Sequence, residues 1–189
     1  IPAFASANIE AEKEPSVAKP RQILISDLLL HTAGLSQSAE MQGWGPVAEY
    51  YQKNDIFGLK CLAGSSSQSL SETVQRLTQV PLQTNPGERF SYSVATDVLG
   101  RVMEVATNKP FEALLSEYIS GPLGIDTLTT AVSAPNVKHV VQLYEPMIKT
   151  YPVPGAYQRY QPFSKFDVEV INAGIQPGCV SPGSGLTAS

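Results

Sequence analysis

PGERFSYSVATDVLGRVMEVAT, residues 86–107, carries both a turn and the start of a helix. Pro86-Gly87 is turn chemistry, because proline pre-sets φ and glycine accepts backbone geometry that other residues avoid. Beyond it, Val94, Val98, Leu99, Val102 and Val105 or Ala106 recur at helical spacing, which predicts a helix with one buried stripe. Ser93 is the candidate N-cap, since its hydroxyl can accept from the first free backbone N–H groups. Tyr92 then falls just outside the helix, flanked by Ser91 and Ser93. From the residues alone Tyr92 is either a working side chain on a firm perch or a structural tyrosine.

Working outward, helices dominate the first two-thirds of the chain. ISDLLLHTAGL reads as a short helix with Ser26 as N-cap, Asp27 in the first turn, Leu28 to Leu30 as its apolar face and Gly34 as its stop. His31 is expected to meet the last carbonyls of that helix. Residues 46–55 form a second short helix with Val47 and Tyr50 or Tyr51 inward, and AGSSSQ is a loop. Ser69 and Glu72 make a capping-box pattern ahead of Leu70, Val74 and Leu77, predicting a helix to about Gln79. Asn108-Lys109-Pro110 breaks the quoted helix and starts the next. There Phe111, Leu114, Leu115, Tyr118 and Ile119 give a clean amphipathic stripe that GPLGI stops. Beyond residue 125 the periodicity fades into proline-rich and aromatic loops with a few short strands. The expected organisation is one partial domain over 1–189, with an irregular lead-in over 1–22 and a loop or short-strand region over 126–189.

Composition excludes several classes. Of 189 residues, 42% are hydrophobic and 16% charged, and no apolar run is long enough to span a membrane. The net charge is −4 with scattered lysines and arginines, so there is no footprint for nucleic acid. Cys61 and Cys179 are far apart, with neither C-x-x-C spacing nor a nearby histidine, which speaks against a zinc site. IPAFASANIEAEKEP lacks the basic start and apolar stretch of a signal peptide, and bacterial periplasm and cytoplasm both stay open.

Candidate chemistry is sparse. SVAK, Ser16 to Lys19, matches S-x-x-K, but Pro15 and Pro20 enclose it and no helical stripe follows, so it reads as a chance match. KTY, residues 149–151, lacks the glycine of K-T-G. There is no G-x-S-x-G, no P-loop and no H-E-x-x-H, and His31 and His139 leave few candidates for a Ser-His-Asp triad. The aromatic residues around Trp44, Tyr50 and Tyr51, and those from Tyr151 to Phe166, either line a pocket or pack in core and loops.

Taken in order and spacing, ILISDLLLHTAGL, NPGERFSYSVATDVLGRVMEVA, PFEALLSEYISGPLGI and SPGSGLTAS resemble the β-lactamase-related serine hydrolases. That family holds class C β-lactamases, D-alanyl-D-alanine carboxypeptidases and family VIII esterases. The resemblance implies the central helical subdomain of an α+β, β-lactamase/transpeptidase-like fold, mainly α with a loop-rich last third and without its antiparallel sheet. It implies an acyl-serine intermediate on a carboxylic ester or amide, a small-molecule substrate and no cofactor or metal. Tyr92 of YSV matches the tyrosine of the family's Y-x-N motif and would be the catalytic proton carrier. A free phenol, with a pKa of about 10, is a poor base at neutral pH, and a lysine ammonium beside it would favour the phenolate. Val94 stands at the substrate-binding Asn of that motif, and valine cannot hydrogen-bond an amide, which favours the esterase branch. Ala33 stands where the family has the serine of H-T-S-G and is read as a structural variation.

The same resemblance places the S-x-x-K pair before Ile1 and the K-T-G-like strand after Ser189. The chain by itself is therefore expected to be inactive, and to expose an apolar face prone to self-association. The alternative is a non-catalytic binding or scaffolding relative that has lost the nucleophile.

Overall fold

The computed structural model describes residues 21–39, 43–56, 69–128, 144–146 and 160–162. Within them the chain is helical: α1 is Ile25–Leu29, α2 Gly45–Lys53, α3 Leu70–Leu77, α4 Ala95–Thr107 and α5 Phe111–Leu115. A π-helical turn, Ser116–Ser120, and a last short helix α6, Gly121–Leu123, follow directly. Strands β1, Tyr144–Pro146, and β2, Tyr160–Pro162, form a two-stranded antiparallel ribbon with Glu145 opposite Gln161. The rest of the last third lies outside the described residues, with Ser16, Lys19, Cys61, His139, Cys179 and the 149–151 motif.

The core collects one stripe from each of several helices. Leu28 of α1, Val47 and Tyr51 of α2, Leu70, Val74 and Leu77 of α3, Val98 of α4 and Phe111 of α5 join in one buried cluster. α4 is the centre of this arrangement, packing on α1, α3 and α5. Tyr51 is fully buried, and burial pushes its phenol pKa up; the phenol oxygen takes the backbone N–H of Ser36. That bond ties α2 to the segment after α1. Ala33 is also wholly buried in the cluster.

Several local expectations hold. Ser69 Oγ accepts from Glu72 N–H at 3.2 Å while the Glu72 carboxylate accepts from Ser69 N–H at 2.9 Å, a complete capping box on α3. Ser69 N–H, and the Ser69 hydroxyl at 2.8 Å, both donate to the Glu72 carboxylate and hold it below its ordinary pKa. Asn108 ends α4 in the left-handed conformation.

Others are corrected. α1 has Leu24 rather than Ser26 at its N-cap, and Asp27 does the capping by accepting from Leu24 N–H at 2.8 Å. Leu28 alone of the leucine triplet turns inward, while Leu29 and Leu30 are 65% and 63% exposed. Successive residues point about 100° apart around a helix, so a single turn cannot bury three in a row. α1 closes at Leu29, well before Gly34, with His31 in the left-handed region at φ 53°. The N-cap of α4 is Val94 and not Ser93. The stripe of α5 stops at Leu115, and Tyr118 and Ile119 are exposed, because the wider π turn shifts the helical phase.

Asp27 anchors the start of α1. Arg21 donates to both of its oxygens, Nη1 to Oδ2 at 2.7 Å and Nη2 to Oδ1 at 2.8 Å, and Thr32 Oγ1 donates to Oδ1 at 3.2 Å. The Arg21 hydrogen bonds chiefly, with Leu24 N–H, Arg21's charge and the Thr32 hydroxyl, outweigh burial and hold the Asp27 carboxyl below its ordinary value. A carboxylate whose folded pKa is depressed stabilises the fold above its unfolded value, about 3.9, and that stability is lost as pH falls through the folded value. Asp27→Asn should therefore lower Tm at neutral pH and flatten the fall of Tm below pH of about 4. Thermal melts of both proteins across that acid range check this. An unchanged acid slope would remove Asp27 from the account.

Candidate active site

Four backbone hydrogen bonds lace residues 31–36 to residues 83–94. Gln83 N–H donates to Gly34 C=O at 2.8 Å, Gly87 to Thr32 at 2.7 Å, Ser91 to His31 at 2.8 Å and Val94 to Ser36 at 3.1 Å. The segment entering α4 is thereby pinned along the segment leaving α1. Gly34, at φ +79°, allows the closest approach: a Cβ there would sit well inside the contact distance of the Thr84 carbonyl oxygen.

This lacing assembles an aromatic group from two distant stretches of sequence. The His31 ring lies 4.7 Å from the Tyr92 ring, centroid to centroid, tilted by 30°, and meets Phe90 edge-on at 6.0 Å. Ser93 N–H donates to His31 Nδ1 at 3.3 Å, with Ser93 Oγ at 3.4 Å from the same nitrogen. That donation assigns the neutral tautomer with its proton on Nε2. Burial lowers the His31 pKa, favouring this neutral ring. His31 thus does not serve the last carbonyls of α1 through its ring, as expected from sequence. Its ring is a backing plate for Tyr92. No local motif announces this, because the pair is made by strand-like lacing across a long loop.

Tyr92 itself is 60% exposed, and its hydroxyl has no hydrogen-bond partner among the described residues. It lies on the wall of a half-open cleft of about 480 Å³. Trp44, Gln83, Arg89, Phe90 and Ser91 also line this cleft. Arg89 stacks on Trp44, with Cζ 5.1 Å from the ring centroid. Gln83 Nε2 donates to the Trp44 carbonyl at 2.8 Å, which holds the Trp44 backbone at the cleft edge. Val94 is elsewhere. It is 4% exposed and packs in the core behind Tyr92, so the two sequence-predicted site residues are neighbours in chain but face opposite ways. Of the aromatic group around Trp44, only Trp44 reaches the cleft; Tyr51 is core and Tyr50 is exposed on α2.

Among the described residues, no cluster of three or more His, Cys, Asp or Glu is placed to hold a metal, and no helix is long and apolar enough to cross a membrane. The chemistry within reach is that of an exposed phenol on a rigid support beside a cation and an aromatic face.

The chain is similar to known proteins. The Beta-lactamase family model matches residues 14–189. Esterase EstB of Burkholderia gladioli is 35% identical over 103 residues, covering 54% of this chain and 24% of that protein. A putative D-alanyl-D-alanine carboxypeptidase of Escherichia coli K12 is 30% identical over 127 residues, covering 66% of this chain and 24% of that protein. Among solved structures, EstCE1, a hydrolase with promiscuous acyltransferase activity, superposes over 100% of this chain and 46% of its own at a TM-score of 0.61 and 25% identity. The chain therefore spans about a quarter of these curated relatives.

Proposed function

The chain belongs to the beta-lactamase family, and from that premise we propose that it is the helical part of a serine hydrolase that cleaves carboxylic esters through an acyl-serine intermediate. One observation carries the proposal: Tyr92 stands with its hydroxyl exposed on the cleft wall and its ring backed by His31. In the proposed reaction Tyr92 Oη takes the proton from the attacking serine as its Oγ bonds to the ester carbonyl carbon. The carbon–oxygen bond to the alcohol then breaks, and the same proton passes to the departing oxygen. Water repeats the sequence on the acyl-serine with Tyr92 again as base, releasing the acid and the free serine. The attacking serine comes from a part of the parent hydrolase other than residues 1–189, and the chain by itself is inactive.

Esters are preferred to β-lactams and D-alanyl peptides. Where the resemblance puts a substrate-binding asparagine this chain has Val94, turned into the core, so the cleft lacks that partner for an amide side chain and discriminates against it. The likeness to EstB supports the same choice. The test is hydrolysis by the full-length gene product of a short-chain nitrophenyl ester against a chromogenic cephalosporin. The ester should show a kcat/KM at least about tenfold higher, corresponding to about 1.4 kcal/mol in transition-state binding. The reverse ratio would overturn the ester preference. Hydrolysis of neither would overturn the enzyme proposal.

A further inference from the structure

We propose that Arg89 makes this cleft a site for substrates that carry a carboxylate, so that the ester cleaved is one whose other end is an anionic acid. The inference rests on reading the Tyr92 cleft as the substrate site. It starts from charge. Among the described residues lining the cleft, Arg89 carries the one formal charge; the others, Trp44, Gln83, Phe90 and Tyr92 among them, are neutral.

The carboxylate next to Arg89 in sequence is already engaged. Glu88 turns away and accepts from Asn85 N–H at 3.0 Å and from Asn85 Nδ2 at 3.1 Å. Asp27 is held by Arg21. No ion pair is formed by Arg89 with any described residue.

Geometry then decides what this cation can do. Stacking over the Trp44 ring, at 5.1 Å from the centroid, satisfies the face of the guanidinium. No hydrogen bond joins the guanidinium N–H donors to another described residue, and those donors match the two oxygens of a carboxylate. Trp44 is 56% exposed beside it, so its free ring surface can take the carbon chain that leads to the carboxylate. Tyr92 stands on the same cleft wall, where the other end of such a molecule would react. A cleft of about 480 Å³ accommodates a small acid of this kind.

The test titrates the full-length gene product by calorimetry with hexanoate and with hexanamide, which share size and differ in charge. Hexanoate should bind saturably, with an affinity at least about tenfold above that of hexanamide. Added salt should weaken the hexanoate response. Arg89→Ala should remove the preference for the acid. Arg89→Lys, which keeps the charge but loses the planar fork, should retain part of it. Arg89 is exposed, and an unchanged circular dichroism spectrum confirms that either variant is folded.

Equal affinity for acid and amide, no saturable response to either, or an acid preference that survives in Arg89→Ala would each overturn the inference. Tyr92→Phe should leave hexanoate binding intact. Ester hydrolysis that survives in the Tyr92→Phe full-length gene product, with the acid preference preserved, would thus count against the proposed reaction and not against the carboxylate site.

Discussion

Replacing Tyr92 by phenylalanine is expected to lower kcat for a short-chain nitrophenyl ester by about 10²- to 10⁴-fold in the full-length gene product, the span over which a positioned acid–base group acts. The substitution removes one oxygen. That oxygen has no hydrogen-bond partner among the described residues, and the side chain is 60% exposed. The contact with the His31 ring is made by the aromatic face, which phenylalanine keeps. Stability should therefore change by no more than about 0.5 kcal/mol, as for an exposed substitution away from special features. KM should move little, since the hydroxyl is asked to carry a proton in the transition state and not to hold the ground state. Steady-state kinetics and a thermal melt on the same preparation read both quantities. A kcat within a few-fold of the parent would return Tyr92 to a structural role and remove the central element of the proposed reaction.

Gly34→Ala is expected to be strongly destabilising. Two penalties add. At φ +79° an alanine is held in the left-handed region that L side chains avoid, and its Cβ drives into the Thr84 carbonyl oxygen, which is backbone and cannot swing aside. Strain of about 1–3 kcal/mol and overpacking of about 1–3 kcal/mol give a loss of about 2–6 kcal/mol. That is a large share of the stability of an ordinary domain. The damage would not stay local. Gln83 N–H bonds to the Gly34 carbonyl, and the same lacing continues through Thr32–Gly87 and His31–Ser91 to the Tyr92 perch. Displacing the 82–87 segment should therefore misplace Tyr92 against His31. The expected result is a fall in Tm together with a fall in kcat in whatever fraction still folds. A melt indistinguishable from the parent's would mean that the close approach at Gly34 is not what holds the two segments together.

Much of the fold was legible locally. The Ser69–Glu72 capping box formed as read, the helix read over 46–55 formed as Gly45–Lys53, and the break read at Asn108-Lys109-Pro110 falls at Asn108. Capping and turn chemistry act between near neighbours and need no knowledge of the rest of the chain. The errors fell where a local preference met a tertiary competitor. Ser93 had the right chemistry for a cap, but its N–H and hydroxyl are turned to His31, and α4 begins two residues later. Leu28 to Leu30 are equally apolar, yet only Leu28 finds a neighbour in the core.

The sequence by itself determined the helical segments, the start of α3, the break at Asn108, the family resemblance and Tyr92 as the residue to watch. Only the tertiary structure decided what Tyr92 leans on and what shares its cleft. His31 comes from the stretch after α1, Trp44 from the entry to α2, and Arg89 from the turn before α4. They meet because backbone hydrogen bonds between residues 31–36 and 83–94 close a loop some fifty residues long around a glycine that tolerates the approach. Loop closure carries an entropy cost that only many long-range contacts acting together can offset, and no short window of sequence records which contacts those are.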